Sequence, residues 1–280
     1  MIRPAIGWAW VVGIGALLLG TSAAGAVSER RIVSLAPSLT EIAYRIGCGP
    51  QLVGDTTFDD YPAPARALPH VADLITVDLE RLRALAPTSV LALHDQEKEA
   101  APVWAQVHVP VTYLPNRELR DLYADIAGVG AACDRAHAAQ ELAGTLRARF
   151  AQLAREAAAY RDRPLVFFLL DLPGFTAGSH SFLDDLIRRA GGTNVAGGLA
   201  QPYPDVSAEW LLRADPDVII VAHDTQFGQD IRSQEPWSSL RAVRSNRVVR
   251  PPSDDLLERD GPRIVDGLAW LIHAIHNPRM

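Results

Sequence analysis

The stretch RAHAAQELAGTLRARFAQLAREAAAYR, residues 135–161, contains no proline and a single glycine. Ala138, Leu142, Leu146, Phe150, Leu153 and Ala157 recur along it at helical spacing, which predicts one amphipathic helix. At the standard rise per residue that helix is about 40 Å long. Such a length exceeds the usual crossover helix and matches the height of a two-lobed molecule. Its charged face (Arg147, Arg149, Arg155, Glu156) reads as an ordinary solvated surface.

Strands and helices alternate on both sides of this rod. Upstream, Arg31–Leu35 reads as a buried strand, and Ser38-Leu39-Thr40-Glu41 has the form of a capping box opening a helix. Leu39, Ile42, Ala43 and Ile46 carry that helix, and Gly47 and Gly49 stop it. Leu52–Gly54 is a short strand, Asp78 caps a helix bearing Leu79, Leu82 and Leu85, and Val90–Leu93 and Val111–Leu114 are strands. Downstream, Leu165–Leu170, Val218–Val221 and Arg247–Val249 read as strands, Ser181–Ala190 as a helix, and Ile264–Ile275 as a closing helix. Apolar strands alternating with helices imply parallel sheets covered on both faces. The predicted fold class is α/β: two similar lobes with parallel sheets, joined by one long rigid helix, with a ligand cleft between the lobes. The expected divisions are 1–26 (leader), 27–134 (N-terminal lobe), 135–162 (backbone helix) and 163–280 (C-terminal lobe).

The halves echo one another. VDLERLRALAPTSVLALHD (77–95) aligns without a gap on VSAEWLLRADPDVIIVAHD (206–224), with Val, Glu, Leu, Pro, His and Asp recurring in place. In each copy a capped helix runs to a proline, a buried strand follows, and the strand ends in His-Asp. A weaker echo relates the helix from Ser38 to Gly47 to that from Ser181 to Gly191. Ligands of open α/β sheets sit at the carboxyl ends of strands, so two facing lobes would enclose a cleft.

The 280 residues are 48% hydrophobic and 21% charged, ample for a core, and the net charge of -6 argues against a nucleic-acid partner. Arg3, the apolar run Ile6–Leu19 and the small-residue pattern Ala24-Gly25-Ala26 predict a signal peptide cleaved near Ala26 and a periplasmic product. The run is shorter than the roughly 20 residues that span a bilayer, and no cysteine follows it to take a lipid. Cys48 and Cys133 are the only cysteines. In an oxidising compartment they can pair; two separate buried thiols fit the sequence equally well.

Five stretches carry a resemblance to a known family: Arg31–Glu41 (RIVSLAPSLTE), Asp60-Tyr61-Pro62, Leu79-Glu80-Arg81, Gly191–Val195 (GGTNV) and Glu258–Arg263 (ERDGPR). In order and spacing they resemble the periplasmic binding proteins with a single helical backbone, the group serving vitamin B12, haem, iron-siderophore and metal importers. Among these the chain is most similar to the cobalamin-binding proteins. The resemblance implies little hinge motion, a monomer, and delivery of a small ligand to an ABC permease dimer in the inner membrane. It implies that Glu80 and Glu258 are surface glutamates, one per lobe, that dock on permease arginines through charge-assisted hydrogen bonds. Glu209, the repeat partner of Glu80, is the weaker candidate. Glu80 has a second reading, as an acid favoured in the first turn of its helix.

The expected ligand is a corrinoid, with haem or an iron-siderophore as alternatives. Phe58 and Phe175 fall where cobalamin-binding relatives place aromatic contacts. Leu74, Leu93 and Leu256 stand where some of those relatives carry Trp, which admits a related corrinoid or a smaller chelate. The expected ligand-binding set is Ser38, Phe58, Tyr61, Leu74, His94, Phe175, Tyr203, His223, Asp224 and Asp255. His94-Asp95 and His223-Asp224 leave three readings open: direct metal ligation, contact with a bound chelate or its metal, or solvated loops at strand ends. The spaced histidines and His-rich loop of metal-specific relatives are absent. No Gly-x-Ser-x-Gly elbow, His-Glu-x-x-His, phosphate-binding Gly-x-x-x-x-Gly-Lys-Ser/Thr or Gly-x-Gly-x-x-Gly occurs. The expectation is therefore a carrier with no catalytic residues, no bound metal and no resident cofactor, against the competing class of a periplasmic hydrolase.

Overall fold

The computed structural model describes residues 30–73, 76–96, 106, 108–221, 231–253 and 255–277. The leader expected at 1–26, Leu74, and His223 with Asp224 lie outside these residues.

The first sheet is built from β1 (Ile32–Ser34), β2 (Leu52–Thr56), β3 (His70–Ala72), β4 (Ser89–Leu93) and β5 (Val111–Leu114), all parallel, in the order β3-β2-β1-β4-β5. Helices α1 (Pro37–Arg45), α2 (Leu79–Ala84) and α3 (Leu122–Ala132) accompany it. The rod α4 (Ala136–Ala158) follows. The second sheet comprises β6 (Leu165–Asp171), β7 (Phe175–Thr176), β8 (Thr193–Asn194), β9 (Val218–Val221) and β10 (Val248–Val249). Its order is β10-β9-β6-β7, with β8 parallel to the start of β6 and β7 antiparallel to its end. Helices α5 (Phe182–Arg189), α6 (Ala208–Ala214), α7 (Arg241–Arg244), α8 (Asp255–Glu258) and α9 (Ile264–His276) complete it. The described residues thus form two separate sheets, one on each side of α4.

Strand periodicity decides how the layers meet. Successive side chains point to opposite faces, and here each face has its own apolar cluster. Ile32, Leu91, Val166, Phe168, Val218 and Ile220 face inward and join one core with α1, α3, α4, α5 and α9. Val33, Val90 and Ala92 face outward with Leu82 of α2. Phe167, Leu169, Ile219 and Val221 face outward with Leu211 of α6. The inner faces of both sheets are therefore covered by the same helical layer.

The predicted stripe on α4 is what fills that layer: Leu142, Leu146, Phe150, Leu153 and Ala157 are all buried. The helix is about 35 Å long and stops earlier than the expected Arg161. Tyr160 leaves the helical path to stack on His276 of α9, with ring centroids 4.0 Å apart. Gly130 of α3 lies so close to α4 that a Cβ there would stand 2.5 Å from Ala139 Cβ, so only glycine permits the approach.

The opening of α1 differs from its expected capping box. The helix starts at Pro37, its N-cap Ala36 offers no side chain, and Ser38 is buried inside the first turn. Proline at a first helical position needs no amide partner, and Glu41 turns instead toward the other lobe, as described below.

The internal repeat holds in three dimensions. Asp78 accepts from the Arg81 amide at 2.9 Å, and Ser207 from the Trp210 amide at 3.2 Å, so equivalent side chains cap α2 and α6. Ala86 and Asp215, equivalent positions before Pro87 and Pro216, share positive φ values of 44° and 38°. That conformation is uncommon outside glycine, and its recurrence shows that both copies leave the helix by the same turn. Leu91 and Ile220 then face the inner core, and Val90 and Ile219 the outer clusters.

Of the two states the sequence left open for the cysteines, the structure contains the bond: Cys48 and Cys133 are joined, with Cα atoms 5.8 Å apart. It ties the end of α1 to the C-cap of α3 across 85 residues. Closing so long a loop restricts the unfolded chain. Replacing both cysteines by serine should lower unfolding free energy by about 2–4 kcal/mol, read from the midpoint of urea denaturation against the oxidised protein.

Candidate ligand cleft and docking face

The carboxyl ends of the parallel strands lead into the loops that carry the candidate ligand residues. Phe58 and Tyr61 follow β2, at 42% and 39% exposure, and Tyr203 of the second lobe is 43% exposed. Phe175 of β7 is half-buried, its ring 6.2 Å from that of Tyr203. His94 is exposed directly after β4, with its ring 6.4 Å from Tyr113. Leu93 and Leu256 are half-buried. Gln96 stabilises this edge: its side chain accepts from the Leu93 amide at 2.8 Å and donates to the Leu35 carbonyl at 3.0 Å, clipping the tips of β4 and β1 together. Ser38 is buried beside Gly261, where a Cβ would meet Ser38 Cα at 3.4 Å.

Two arginines cross between the lobes here. Arg263 grips Glu41 of α1 with both arms of its guanidinium, at 2.9 and 2.6 Å. Arg259 donates to Asp60 at 2.7 Å and to the Phe58 carbonyl at 3.0 Å. Asp255, an expected ligand residue, is taken up by these arginines, 2.9 Å from Arg259 and 3.6 Å from Arg263. The Tyr61 ring lies against Arg263, 4.0 Å from ring centroid to guanidinium carbon, a cation–π geometry. Glu41 is 1% exposed. Burial pushes its carboxyl above the ordinary value, while the Arg263 hydrogen bonds and charge and the Arg259 charge pull it back. Asp60 pays some desolvation, yet the Arg259 hydrogen bond and charge hold it below its ordinary value. The motif Glu258–Arg263 thus serves as an interlobe clamp, a role not read from the sequence because its partners lie about two hundred residues away.

The clamp constrains Glu258. Its Oε1 is enclosed by protein and the residue is half-buried, so one oxygen of the expected docking carboxylate is turned into the fold. Glu80 is exposed in the first turn of α2. Glu209 is exposed at the equivalent turn of α6, its carboxyl held below the ordinary value by hydrogen bonds from its own amide and from Ser207. The repeat, which places Glu209 on Glu80, is the sequence signal that locates it.

The sequence pattern of the periplasmic binding proteins matches residues 32–254. The chain belongs to that family.

Curated and solved members of the periplasmic binding protein family align along most of its length. A vitamin B12-binding protein of Yersinia pestis is 30% identical over 262 residues, covering 89% of this chain and 87% of the relative. The periplasmic vitamin B12-binding protein BtuF of Vibrio cholerae superposes with a TM-score of 0.78 at 27% identity, covering 89% and 98% of the two chains. The periplasmic haem-binding protein RhuT of Roseiflexus gives 0.77 at 26% identity, covering 90% and 100%. The protein is a periplasmic binding protein of the vitamin B12, haem and siderophore type. Its family consists of solute-binding proteins, whose members are periplasmic and work with ABC importer permeases. Among the described residues no helix is long and apolar enough to cross a membrane.

Removal of one clamp partner leaves a buried charge unpaired. Arg263→Ala should cost about 3 kcal/mol of stability in chemical denaturation, and Arg259→Ala less, because Glu41 then keeps the Arg263 fork.

Proposed function

We propose that this protein captures a corrinoid in the cleft between its lobes and delivers it to an ABC permease. The observation that carries this reading is the set of aromatic side chains at the strand tips of both lobes: Phe58 and Tyr61 on one, Phe175 and Tyr203 on the other. A flat macrocycle with polar substituents calls for broad apolar surface and a few polar groups, and His94 and the loop carbonyls supply the latter. Leucines at 93 and 256 offer less stacking surface than tryptophans would, which admits a related corrinoid or a smaller chelate. The relatives named for vitamin B12 support this choice over haem. The expected leader, cleaved near Ala26, would place the mature monomer in the periplasm.

Titration of the purified protein with cyanocobalamin, cobinamide, haemin and a ferric siderophore, followed by quenching of tryptophan fluorescence, tests the ligand. A corrinoid should bind most tightly and leave the protein chemically unchanged. Tighter binding of haemin than of either corrinoid would move the assignment to haem.

Docking is assigned to Glu80 and Glu209, one per lobe, in place of the pair Glu80 and Glu258. Both stand exposed in the first turn of equivalent capped helices, where charge-assisted hydrogen bonds with permease arginines can form. Combined Glu80→Ala and Glu209→Ala substitution should abolish uptake in cells while the purified variant keeps its ligand affinity. Normal uptake by the double variant would remove the assignment.

A further inference from the structure

A cavity separate from the aromatic strand tips opens at the lobe boundary. Its volume is about 610 Å³, within the range of small-molecule sites. The first lobe lines it with Glu118 and with Arg120 of the turn Leu119–Asp121, which packs against α5. The second lobe lines it with His180, with Asp184, Asp185, Arg188 and Arg189 of α5, and with Thr193 of β8. No described residue of the expected corrinoid-binding set is in its wall.

The acids of this wall are answered from within. Asp184 accepts from Asn194 Nδ2 at 3.0 Å and lies 3.1 Å from Arg188 Nε. Asp185 accepts from Arg189 Nε at 2.9 Å, and Glu118 lies 2.9 Å from Arg120 Nε. Each arginine thus meets its acid through Nε. Among the described residues the Nη groups of all three make no hydrogen bond, the nearest approach being Arg188 Nη2 to Asp185 at 3.8 Å. Arginines with a structural task in this fold spend those groups on protein. Arg259 gives both to Asp60 and the Phe58 carbonyl, and Arg241 gives both to Asp217 and Asp215.

A guanidinium is planar, so an acid held at Nε sets the direction of the Nη fork, the part that takes carboxylate or phosphate by paired hydrogen bonds. Exposure separates the signs of charge. The side chains of Asp184 and Asp185 are 7% and 26% exposed, against 76%, 63% and 43% for Arg120, Arg188 and Arg189. The acids are sunk in the wall and the guanidinium tips stand toward solvent, so an entering anion meets the cations first. His180, also exposed, adds an imidazole to the same wall.

We propose that this cavity is a second binding site, for a small molecule bearing two or more carboxylate or phosphate groups. Such a ligand is held by the Nη forks of Arg120 from one lobe and of Arg188 and Arg189 from the other. Forks on opposite walls call for an anion with two heads, and a single inorganic phosphate would leave most of the volume to water. The chain as a whole carries a net charge of -6, so the attraction is local to these side chains and weakens with added salt. Nothing in the site depends on which ligand occupies the cleft.

Calorimetric titration of the purified, ligand-free protein with citrate and, separately, with pyrophosphate at low ionic strength tests the proposal. At least one of the two should bind with one molecule per chain; tighter citrate marks a carboxylate ligand, tighter pyrophosphate a phosphorylated one. Arg120→Gln and Arg189→Gln should each weaken binding roughly tenfold, the loss expected for a hydrogen-bonded charge contact. Both side chains are exposed, so the variants should keep the melting temperature of the parent. Arg120→Lys, which keeps the charge but loses the fork, should also weaken binding. Arg155→Gln, on the solvated face of α4, should change it less than about twofold. Failure of both anions to bind at millimolar concentration would overturn the proposal. So would binding that Arg120→Gln and Arg189→Gln leave unaltered, the mark of an adventitious ion only, or full affinity in Arg120→Lys.

Discussion

One apolar stripe on α4 is shared by two sheets. Leu142, Leu146, Phe150 and Leu153 are buried in the same core as Ile32 and Leu91 of the first sheet and Val166, Phe168 and Ile220 of the second. Each large side chain contributes about 2 kcal/mol through removal from water, and moving either sheet off the rod would forfeit that burial on both faces at once. Each lobe keeps a cluster of its own on its outer face, but neither inner face has an interior apart from the other. The lobes share a spine, and the spine is the core.

At the open side the coupling is electrostatic. Arg259 and Arg263 reach from the second lobe to α1 and the Asp60 loop of the first, where Glu41 and Asp60 answer them, with Asp255 of their own lobe between. A buried ion cluster of this kind does little for net stability relative to an apolar replacement, but its bidentate geometry sets orientation. The stripe on α4 holds the lobes together, and the arginines fix how their strand tips are presented. The aromatic residues Phe58 and Tyr61 sit on the loop that receives the arginines, so that loop and the clamp are one mechanical unit.

The outer face follows a different logic, that of duplication. α2 and α6 begin with equivalent caps, expose equivalent glutamates, and end on equivalent residues with positive φ. Duplication supplies them without separate invention.

Local chemistry was legible in the sequence wherever a periodic or capping signal sufficed. The α4 stripe, the strands at 90–93 and 218–221, and the cap at Asp78 are short-range patterns that survive in any context. So was the gap-free repeat, which places the caps Asp78 and Ser207 and the paired strands in equivalent positions. The weaker readings were those that depended on distant partners. Ser38-Leu39-Thr40-Glu41 has the letters of a capping box, yet Glu41 is taken by Arg263, 222 positions away. Glu258 carries the family motif, but enclosure of its oxygen follows from how that segment meets the rest of the fold. Whether Cys48 meets Cys133 depended on which helices became neighbours. Pattern along the chain set the elements and their buried faces; only packing decided which charges met, because an ion pair is made by proximity in space and leaves no period in sequence.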